Sequence, residues 1–567
     1  MNITRRAWMG VTAAAVAAPA FASAQTAPRF AITSPGKGVH DYGPALAALA
    51  EYARAELAAQ GLPGMTLSVT DADGFTAVLA LGWADMARRE PMSPDRLFQI
   101  GSISKSFLAL TLLSLADEGR IDLDAPLARY LPEAAWPSAP ITGRQVLSHT
   151  SGLPDGAPLF PRTPEGRLWT GFSAGSRFSY SNTGFDLLGA VVERITGLSH
   201  EEAILRRVRV PLGVADIAGQ ISAANRARFP VAYLPHDQSV AAELPGAAMD
   251  EAPWDPEDTA AGCIGATSEM MARYLRGLLA IGAGKGAPVL SDTSAKAFAT
   301  PVIASDADFG PGSHYCLGVA LQPVDGAPCL HHTGGMVAFS SSFHADPAAG
   351  VACFASVNAR LGGYRPRQTT AYAIRLMRAV RAGAPLPSPP DPLGPLRVKE
   401  PGPLMGHFIA ADGRSFTLAP GEDFPHLAAA GAAAPAYRQG GRLATSHPAF
   451  AAHLLEPVSE GAAVTGYWWG ETLFGRDAPA AQPAVPERLR AFTGVYLNRS
   501  PWVGYGTVLA RGDDLVLEGA GRLIERGGWW SLEPDVGGVE RFRFEAPLNG
   551  KATRLSFSGT DLDRLGA

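Results

Sequence analysis

Proline is the most constraining feature of the sequence, because five of the eight residues from Pro385 to Pro392 are proline. Each proline lacks a backbone N–H donor and fixes φ, so this stretch can neither continue a helix nor form a central strand. The chain of 567 residues is also too long for one core, since single cores stop growing at about 250–300 residues. We therefore expect a domain boundary here, with a large domain before it and smaller units after it.

The composition limits what the chain can bind. Hydrophobic residues make up 47% of the sequence and charged residues 18%, which supplies enough apolar material for a folded core and argues against global disorder. The formal net charge of -5 gives no general attraction to phosphate backbones or anionic lipid. We therefore expect a globular protein without a nucleic-acid partner.

The first 24 residues have the pattern of an export signal. An arginine pair precedes an apolar run from Val11 to Phe21, and three small residues end at Ala24. The arginine pair resembles the twin-arginine type, although the apolar run also suits the general secretory route. No later run reaches the roughly 20 apolar residues that a membrane span needs. The sequence predicts cleavage after Ala24 and a periplasmic or secreted protein without a stable membrane anchor.

Periodicity predicts an α+β domain over residues 40–383. Helical spacing covers Pro44 to Gln60, and Asp73-Gly74 joins two strand-like runs into a hairpin. Four more strand-like runs precede a helix over Gln368 to Arg381. The six runs cover Met65 to Thr70, Phe75 to Leu81, Tyr315 to Gln322, Cys329 to His332, Phe339 to Ala345 and Val351 to Val357. We expect one antiparallel sheet built from both ends of the domain and flanked by helices, with a largely helical insert.

A weak internal repeat follows the proline-rich linker. Gly494 and Gly406 are 88 residues apart (494 minus 406), and at this offset the segment Leu404 to Phe408 aligns with Phe492 to Tyr496. Glycine turns separate short strand-like runs in both copies, which favours two small β-barrel or β-sandwich domains. The predicted bounds are 384–403 for the linker, 404–477 for the first small domain and 488–567 for the second.

A Ser-x-x-Lys motif supplies a candidate nucleophile and base. Ser102 and Lys105 precede an almost entirely apolar run that ends near Gly119, which predicts an enclosed helix starting around Ser102. Residues three apart share a helical face, so the Lys105 amine would lie within reach of the Ser102 hydroxyl. A helix N-terminus favours a developing alkoxide, and burial lowers a lysine pKa from about 10.4 towards neutrality. Ser34 and Lys37 share the spacing, but Pro-Gly between them prevents a helical turn.

Two further motifs carry groups that suit the same chemistry. Tyr180 and Asn182 precede a second apolar helix pattern. The Tyr180 phenol could share a proton with an amine, and the Asn182 amide could hold both a lysine and a substrate carbonyl. His332, Gly334 and Gly335 end a strand pattern, where glycines let the backbone approach a substrate and present an N–H group to a carbonyl oxygen.

In this order along the chain, the three motifs resemble those of the serine β-lactamase and penicillin-binding family, especially its class C-like branch. Val146 to Leu153 and Ala261 to Thr267 resemble two further stretches that are common in that branch. The resemblance covers the whole predicted first domain. It implies a β-lactamase/transpeptidase-like fold for that domain.

The resemblance also implies a role for each motif residue. Ser102 would be the acylated nucleophile, with Lys105 and Tyr180 as the base system. Asn182 would position the lysine and the substrate. The backbone N–H groups of Ser102 and Gly335 would form the oxyanion hole.

One position departs from the family pattern. β-Lactamases and cell-wall carboxypeptidases usually have lysine where this chain has His332, and imidazole is largely neutral above its ordinary pKa of about 6.5. Penicillin-type recognition is therefore not expected. His-x-Gly instead resembles D-stereospecific aminopeptidases and family VIII-type esterases of the branch, and the aminopeptidases also carry two small β-barrels after the catalytic domain.

These implications lead to a ranked functional hypothesis. We expect a serine hydrolase that acts through an acyl-enzyme on short peptides or amides, including those with D-residues. Carboxylic ester hydrolysis ranks second and β-lactam hydrolysis third. The alternative class is a non-catalytic module that binds a ligand or interacts with the cell envelope. The expected partner is a small-molecule or short-peptide substrate, and the oligomeric state stays open.

No metal or organic cofactor is predicted. The four cysteines lack Cys-x-x-Cys spacing, so neither zinc nor a redox dithiol is indicated. We expect them to be small buried side chains. One disulfide bond between two of them stays an open alternative. Adjacent His331 and His332 would face opposite sides of a strand, which disfavours a metal site there. The cysteines are Cys263, Cys316, Cys329 and Cys353.

Overall fold

A computed structural model describes residues 30–38, 40–134, 136–161, 166–236, 243–500, 502–533, 535 and 538–566. The predicted export signal, residues 1–24, lies outside these residues. The described chain confirms the α+β fold class, because a domain with one large antiparallel sheet and flanking helices is followed by two closed β-barrels. Among the described helices, none combines the length and apolar character that crossing a membrane requires.

The central sheet combines strands from both ends of the first domain. The strands of this domain are β1 (Ala31–Pro35), β2 (Gly64–Asp71), β3 (Phe75–Asp85), β4 (Glu90–Pro91), β5 (Phe98–Gln99), β6 (Tyr233–Pro235), β7 (Met249–Glu251), β8 (Gly265–Ala266), β9 (Ile303–Ala304), β10 (His314–Tyr315), β11 (Ala320–Val324), β12 (Ala327–Gly335), β13 (Ser340–Asp346) and β14 (Val351–Val357). The sheet order is β1-β3-β2-β14-β13-β12-β11-β10-β9. β2 and β3 form the predicted hairpin, and the pairing of β2 with β14 joins the two ends of the domain.

The sheet differs from the predicted strands at two places. β1 pairs with the edge of β3 before residue 40, the predicted start of the domain; it is mostly exposed, so no apolar pattern marks it. The run from Tyr315 to Gln322, predicted as one strand, is divided between β10 and β11. Gly318 turns the chain there with φ +77° and packs against α2, where a Cβ would lie 2.5 Å from the Ala109 Cβ.

Helices cover both faces of the sheet. They are α1 (Gly43–Gln60), α2 (Ser104–Asp117), α3 (Gly143–Leu147), α4 (Asn182–Thr196), α5 (His200–Ile204), α6 (Ser268–Gly282), α7 (Asp292–Phe298), α8 (Asp306–Phe309) and α9 (Arg367–Ala382). α1 and α9 pack on one face, against Cys353 and Ala355 of β14. α2, α4 and α6 pack on the other, against Phe354 of the same strand. The alternation of one strand thus separates two apolar cores.

Two closed barrels of eight strands each follow within the part of the chain that the structure describes. The first barrel consists of β15 (Gly406–Ala410), β16 (Ser415–Ala419), β17 (His426–Ala429), β18 (Ala432–Gln439), β19 (Arg442–Thr445), β20 (Leu455–Glu460), β21 (Ala463–Trp469) and β22 (Thr472–Arg476), with β23 (Pro479–Ala480) added beside β15. A short helix, α10 (Glu487–Arg490), precedes the second barrel. The second consists of β24 (Gly494–Leu497), β25 (Tyr505–Arg511), β26 (Asp514–Leu517), β27 (Gly521–Glu525), β28 (Trp530–Leu532), β29 (Phe542–Leu548), β30 (Lys551–Phe557) and β31 (Thr560–Arg564).

The two barrels repeat one strand plan. β21 and β22 begin 88 residues before β30 and β31, as the sequence offset indicates (551 minus 463 and 560 minus 472). Tyr467 and Tyr496 are buried in the two barrel cores. All four cysteines of the chain are buried and free, so none of them forms a disulfide.

Candidate active site

The candidate nucleophile lies at the entrance of a buried helix. Ser102 belongs to a 3-10 turn, Gly101–Ile103, that leads directly into α2. Gly101 has φ +56°, and a Cβ there would lie 2.7 Å from the backbone nitrogen of Gly335. The turn is therefore packed against the end of β12, and this contact brings two of the predicted motifs together.

Lys105 is fully buried, and its amine has a complete set of acceptors. Its Nζ lies 3.0 Å from Ser102 Oγ, 2.5 Å from Asn182 Oδ1 and 2.9 Å from the carbonyl oxygen of Ala261. Burial lowers the pKa of Lys105 to about 7 and outweighs the opposing attraction of nearby carboxylates. A lysine that is half neutral near pH 7 and touches a serine hydroxyl meets the requirements of a general base.

Asn182 is held in place by a carboxylate that sequence analysis missed. Asn182 begins α4, where the Ser181 hydroxyl caps the helix by accepting from the Gly184 N–H group. Asp155 Oδ1 accepts from both the backbone nitrogen and Nδ2 of Asn182, each at 2.9 Å. Because Nδ2 donates to Asp155, the amide oxygen faces Lys105 and accepts a hydrogen bond from its amine.

Tyr180 lies beside the base and near the nucleophile. Its ring centroid lies 4.9 Å from Lys105 Nζ, and the Ser102 side chain is close enough to act on the pKa of the phenol. The ring stacks on His149 at a centroid distance of 4.1 Å, and His149 Nδ1 accepts from the Ser181 N–H group at 3.0 Å. Burial raises the pKa of Tyr180 above its ordinary value, so the phenol is neutral and both donates and accepts hydrogen bonds.

His332 lies on the face of β12 that packs against α2, and its ring centroid lies 6.3 Å from that of Tyr180. Its Nδ1 lies 2.6 Å from the carbonyl oxygen of Thr333, and its Nε2 lies 3.0 Å from the hydroxyl of Tyr315. Burial, followed by the charge of Lys105, lowers the pKa of His332 to about 3. The neutral ring therefore donates from Nδ1 and accepts the Tyr315 proton at Nε2, which leaves neither nitrogen free to hold a substrate carboxylate.

The glycines of the third motif permit a close backbone approach. A Cβ on Gly334 would lie 1.8 Å from the carbonyl oxygen of Ile100, so only glycine fits there. Gly335 lies directly beside Gly101 in the turn that bears Ser102. This approach places the two backbone N–H groups of the predicted oxyanion hole on neighbouring segments.

A half-buried guanidinium lies beside these glycines and was not identified from the sequence. Arg365 donates from Nη1 to Ser340 Oγ at 3.2 Å and to the Tyr364 carbonyl at 2.7 Å. Its Nη2 occupies the space where a Gly335 side chain would lie. Burial lowers the pKa of Arg365 to about 10, so the group stays charged at neutral pH. A fixed positive charge thus stands beside the candidate oxyanion hole, although His332 is neutral.

The second barrel reaches this site through the loop between β28 and β29. Glu540 Oε1 accepts from the backbone nitrogen of Asp155 at 2.6 Å. The Val539 carbonyl accepts from the indole N–H group of Trp169 at 2.8 Å. An ion pair of 2.9 Å also joins this loop to the first domain, between Asp535 and Arg177. The barrel loop is therefore bonded to the segment that orients Asn182.

The structure places the predicted site residues in one place. Lys105 contacts both Ser102 and Asn182 and lies over the Tyr180 ring. The end of β12 packs against the turn that bears Ser102. His149 lies in a stretch that already resembled a family motif. Sequence reasoning missed five residues of the site, which are Asp155, His149, Tyr315, Arg365 and Glu540.

Comparisons with known proteins find relatives of the first domain. A family model described as Beta-lactamase matches residues 49–377. Penicillin-binding protein 4 of Amycolatopsis lactamdurans is 30% identical over 310 residues, which cover 51% of this chain and 79% of that protein. Esterase EstB of Burkholderia gladioli is 37% identical over 186 residues, 28% of this chain and 46% of that protein. The first curated relatives are matched over 33% and 46% of their own length.

Solved structures share the fold. The octameric penicillin-binding protein homologue from Pyrococcus abyssi has a TM-score of 0.54 and 21% sequence identity, and the match covers 75% of this chain and 98% of that one. At this level of identity the likeness concerns the fold alone.

Proposed function

The chain belongs to the β-lactamase family, whose members are serine hydrolases, and from that premise we propose that it hydrolyses its substrate through an acyl-enzyme on Ser102. One observation carries the proposal: the buried Lys105 amine touches Ser102 Oγ at 3.0 Å and has a pKa of about 7. Such an amine accepts the serine proton near neutral pH, which makes the hydroxyl nucleophilic.

Acylation follows from the contacts of the site. Ser102 Oγ attacks the substrate carbonyl carbon while its proton passes to the neutral amine of Lys105. The carbonyl π electrons move to oxygen, and the backbone N–H groups of Ser102 and Gly335 stabilise the oxyanion. When the tetrahedral intermediate collapses, the bond to the leaving group breaks. The neutral Tyr180 phenol relays a proton from Lys105 to the leaving amine or alkoxide.

Deacylation uses the same groups in reverse. Water attacks the ester carbonyl on Ser102 and gives one proton to Lys105. The second tetrahedral intermediate expels Ser102 Oγ, which regains a proton from the ammonium group through Tyr180. The product is a carboxylic acid, and no cofactor takes part.

Short peptides and amides, including those with D-residues, are the proposed substrates. Amide cleavage requires protonation of a poor leaving group, and a neutral Tyr180 phenol next to Lys105 supports that role. β-Lactam hydrolysis ranks third, because His332 lacks the fixed charge that lysine supplies in the β-lactamases. Export through the predicted signal stays a prediction.

Carboxylic ester hydrolysis is the second candidate. Its support is the similarity to esterase EstB, at 37% identity over 186 residues. An ester has a better leaving group than an amide, so the same site would need less help from Tyr180.

A covalent probe tests the serine hydrolase proposal. A fluorophosphonate should add one label to the wild type and none to Ser102→Ala. Ser34→Ala is the matched control, because Ser34 belongs to the chain's other Ser-x-x-Lys spacing and lies in β1. Its labelling should equal that of the wild type. An unlabelled wild type would support the alternative of a non-catalytic binding module.

Two chromogenic substrates then separate the candidate activities. Turnover of D-alanine p-nitroanilide should exceed that of p-nitrophenyl butyrate in kcat/KM after each is divided by its uncatalysed rate. Turnover of the ester alone would replace the amidase proposal with the esterase.

A further inference from the structure

Three potential metal ligands meet beside α5, outside the residues assigned to hydrolysis. His200 Nε2 lies 3.4 Å from Asp258 Oδ1 and 3.9 Å from Cys263 Sγ. All three ligand atoms lie within 4.8 Å of one another. A tetrahedral zinc ion with bonds of about 2.0–2.3 Å separates its ligand atoms by about 3.3–3.7 Å. The side chains are therefore already close to the spacing that a bound ion requires.

The imidazole of this cluster is oriented for metal binding. Glu193 Oε1 lies 2.9 Å from His200 Nδ1 and accepts from the His200 backbone nitrogen at 3.1 Å. Because Nδ1 donates its proton to Glu193, the lone pair of Nε2 points at Asp258 and Cys263. Metal-binding histidines almost always have such a carboxylate or carbonyl partner on the other ring nitrogen.

The other two ligands supply a buried sulfur and a route from solvent. The Cys263 thiol is buried and donates to the Gly219 carbonyl at 3.0 Å. The Asp258 side chain is 63% exposed, which gives an ion access to the cluster.

We propose that His200, Asp258 and Cys263 bind one divalent transition-metal ion, with zinc as the best match and a water molecule at the fourth position. Imidazole, thiolate and carboxylate are the donors that zinc combines in tetrahedral sites. Binding forms bonds from the metal to nitrogen, oxygen and sulfur, and the thiol proton is released to solvent. The proposal is independent of the hydrolytic function, because its test measures metal binding.

The site is joined to the candidate active site by one short segment. Ala261 lies between the ligands Asp258 and Cys263 in sequence, and its carbonyl accepts from Lys105 Nζ at 2.9 Å. The Ala261 nitrogen donates to Asp186 Oδ1 at 3.2 Å. A metal that holds both ends of this segment also fixes the carbonyl that contacts Lys105.

Cobalt is the probe for the experiment, because tetrahedral Co²⁺ bound to thiolate absorbs strongly in the near ultraviolet. The full chain is treated with a chelator under reducing conditions, dialysed and titrated with Co²⁺. We expect a thiolate-to-cobalt band that saturates at one equivalent and disappears when Zn²⁺ is added. A wild type without a saturable band would overturn the proposal.

Variants identify the ligands. Cys263→Ala should abolish the band, whereas the control Cys353→Ala removes another buried thiol and should keep it. Glu193→Gln should weaken cobalt affinity about 10-fold to 100-fold, as expected for loss of a partner that orients a ligand. A band that persists in Cys263→Ala would overturn the assignment.

A variant at an exposed ligand tests the site without the risk that a change at a buried position prevents folding. Asp258 lies at the surface, so Asp258→Asn should fold with an unchanged circular dichroism spectrum. It should bind cobalt at least tenfold more weakly and lose the rise in melting temperature that Zn²⁺ gives the wild type. Equal affinity in this variant and the wild type would contradict the site.

Discussion

The two barrels share one strand plan and differ in what the same loop contacts. In the first barrel the loop between β19 and β20 faces the second barrel, where His453 Nδ1 lies 2.9 Å from Glu518 Oε2. In the second barrel the equivalent loop, between β28 and β29, faces the first domain, where Glu540 accepts from the Asp155 nitrogen. The same loop thus joins the first barrel to the second barrel, and the second barrel to the first domain.

The duplicated fold fixes which loop makes the contact between two units. The side chains on that loop decide whether the contact affects the candidate active site. The first barrel also touches the first domain, through Leu454 and Ala444 against Leu244. Among the described residues, however, no hydrogen bond joins this barrel to the candidate active site. Only the second barrel is linked to the base, through Asp155, Asn182 and Lys105. We therefore expect activity to depend on the second loop far more than on the first.

Loss of the second loop's carboxylate should have the largest effect. We expect Glu540→Ala to lower kcat/KM by about 10-fold to 100-fold, because a buried N–H group without an acceptor costs about 1–3 kcal/mol and Asp155 then moves. Steady-state kinetics on the substrate identified above measure this. The control Glu518→Ala removes the second-barrel carboxylate that His453 of the first loop contacts, and it should change kcat/KM by less than about twofold. An equal loss in both variants would show general loosening instead.

The indole groups beside the two loops allow a second matched test. Trp169 donates to the Val539 carbonyl at 2.8 Å, and Trp469 donates to the Phe450 carbonyl at 3.0 Å inside the first barrel. Trp169→Phe and Trp469→Phe should each lower the free energy of unfolding by about 1–2 kcal/mol, measured with urea. Only Trp169→Phe should also lower kcat/KM, by about threefold to fivefold. A comparable fall in Trp469→Phe would contradict the distinction between the loops.

The pH dependence of kcat/KM should also distinguish the two loops, although the expected effect is smaller than those above. Burial depresses the pKa of Lys105 to about 7, and the base must be neutral, so kcat/KM should rise as the pH increases through 7. Glu540→Gln weakens the contact with Asp155 and lets water closer to the amine. Because weaker burial favours the charged form, the rising limb should move to higher pH by about 0.5 unit, or about 0.7 kcal/mol. Glu518→Gln should leave the limb in place, and a shift to lower pH in Glu540→Gln would refute the reasoning.

The site residues that could be predicted from the sequence are those that local structure positions. Ser102 and Lys105 are three residues apart at the start of one helix, so their contact follows from helix geometry. Tyr180 and Asn182 precede α4, and the glycines of β12 end a strand; each motif carries its own local signal. Resemblance to a family added the expectation that these separate segments meet.

The unpredicted part of the site depends on contacts between distant segments. Asp155 and Glu540 are 385 residues apart in sequence, and no periodicity pairs a loop of one domain with a loop of another. Arg365 and Tyr315 lie on segments whose burial is decided by packing on β12. The edge strand β1 was missed for a local reason: it is mostly exposed, so its sequence has no apolar alternation to detect.

The ion pair between the second loop and the first domain should have the smallest effect. Arg177 and Asp535 are 41% and 21% exposed, and exposed pairs contribute about 0–1 kcal/mol because water screens them. We expect Arg177→Gln to change kcat/KM by less than about twofold at low salt and to match the wild type at high salt, since salt screens the lost attraction. The control is Arg414→Gln in the first barrel, which loses an exposed pair with Asp412 and should show no salt-dependent activity difference. A large, salt-independent loss in Arg177→Gln would mean that this pair, and not Glu540, holds the loop in place.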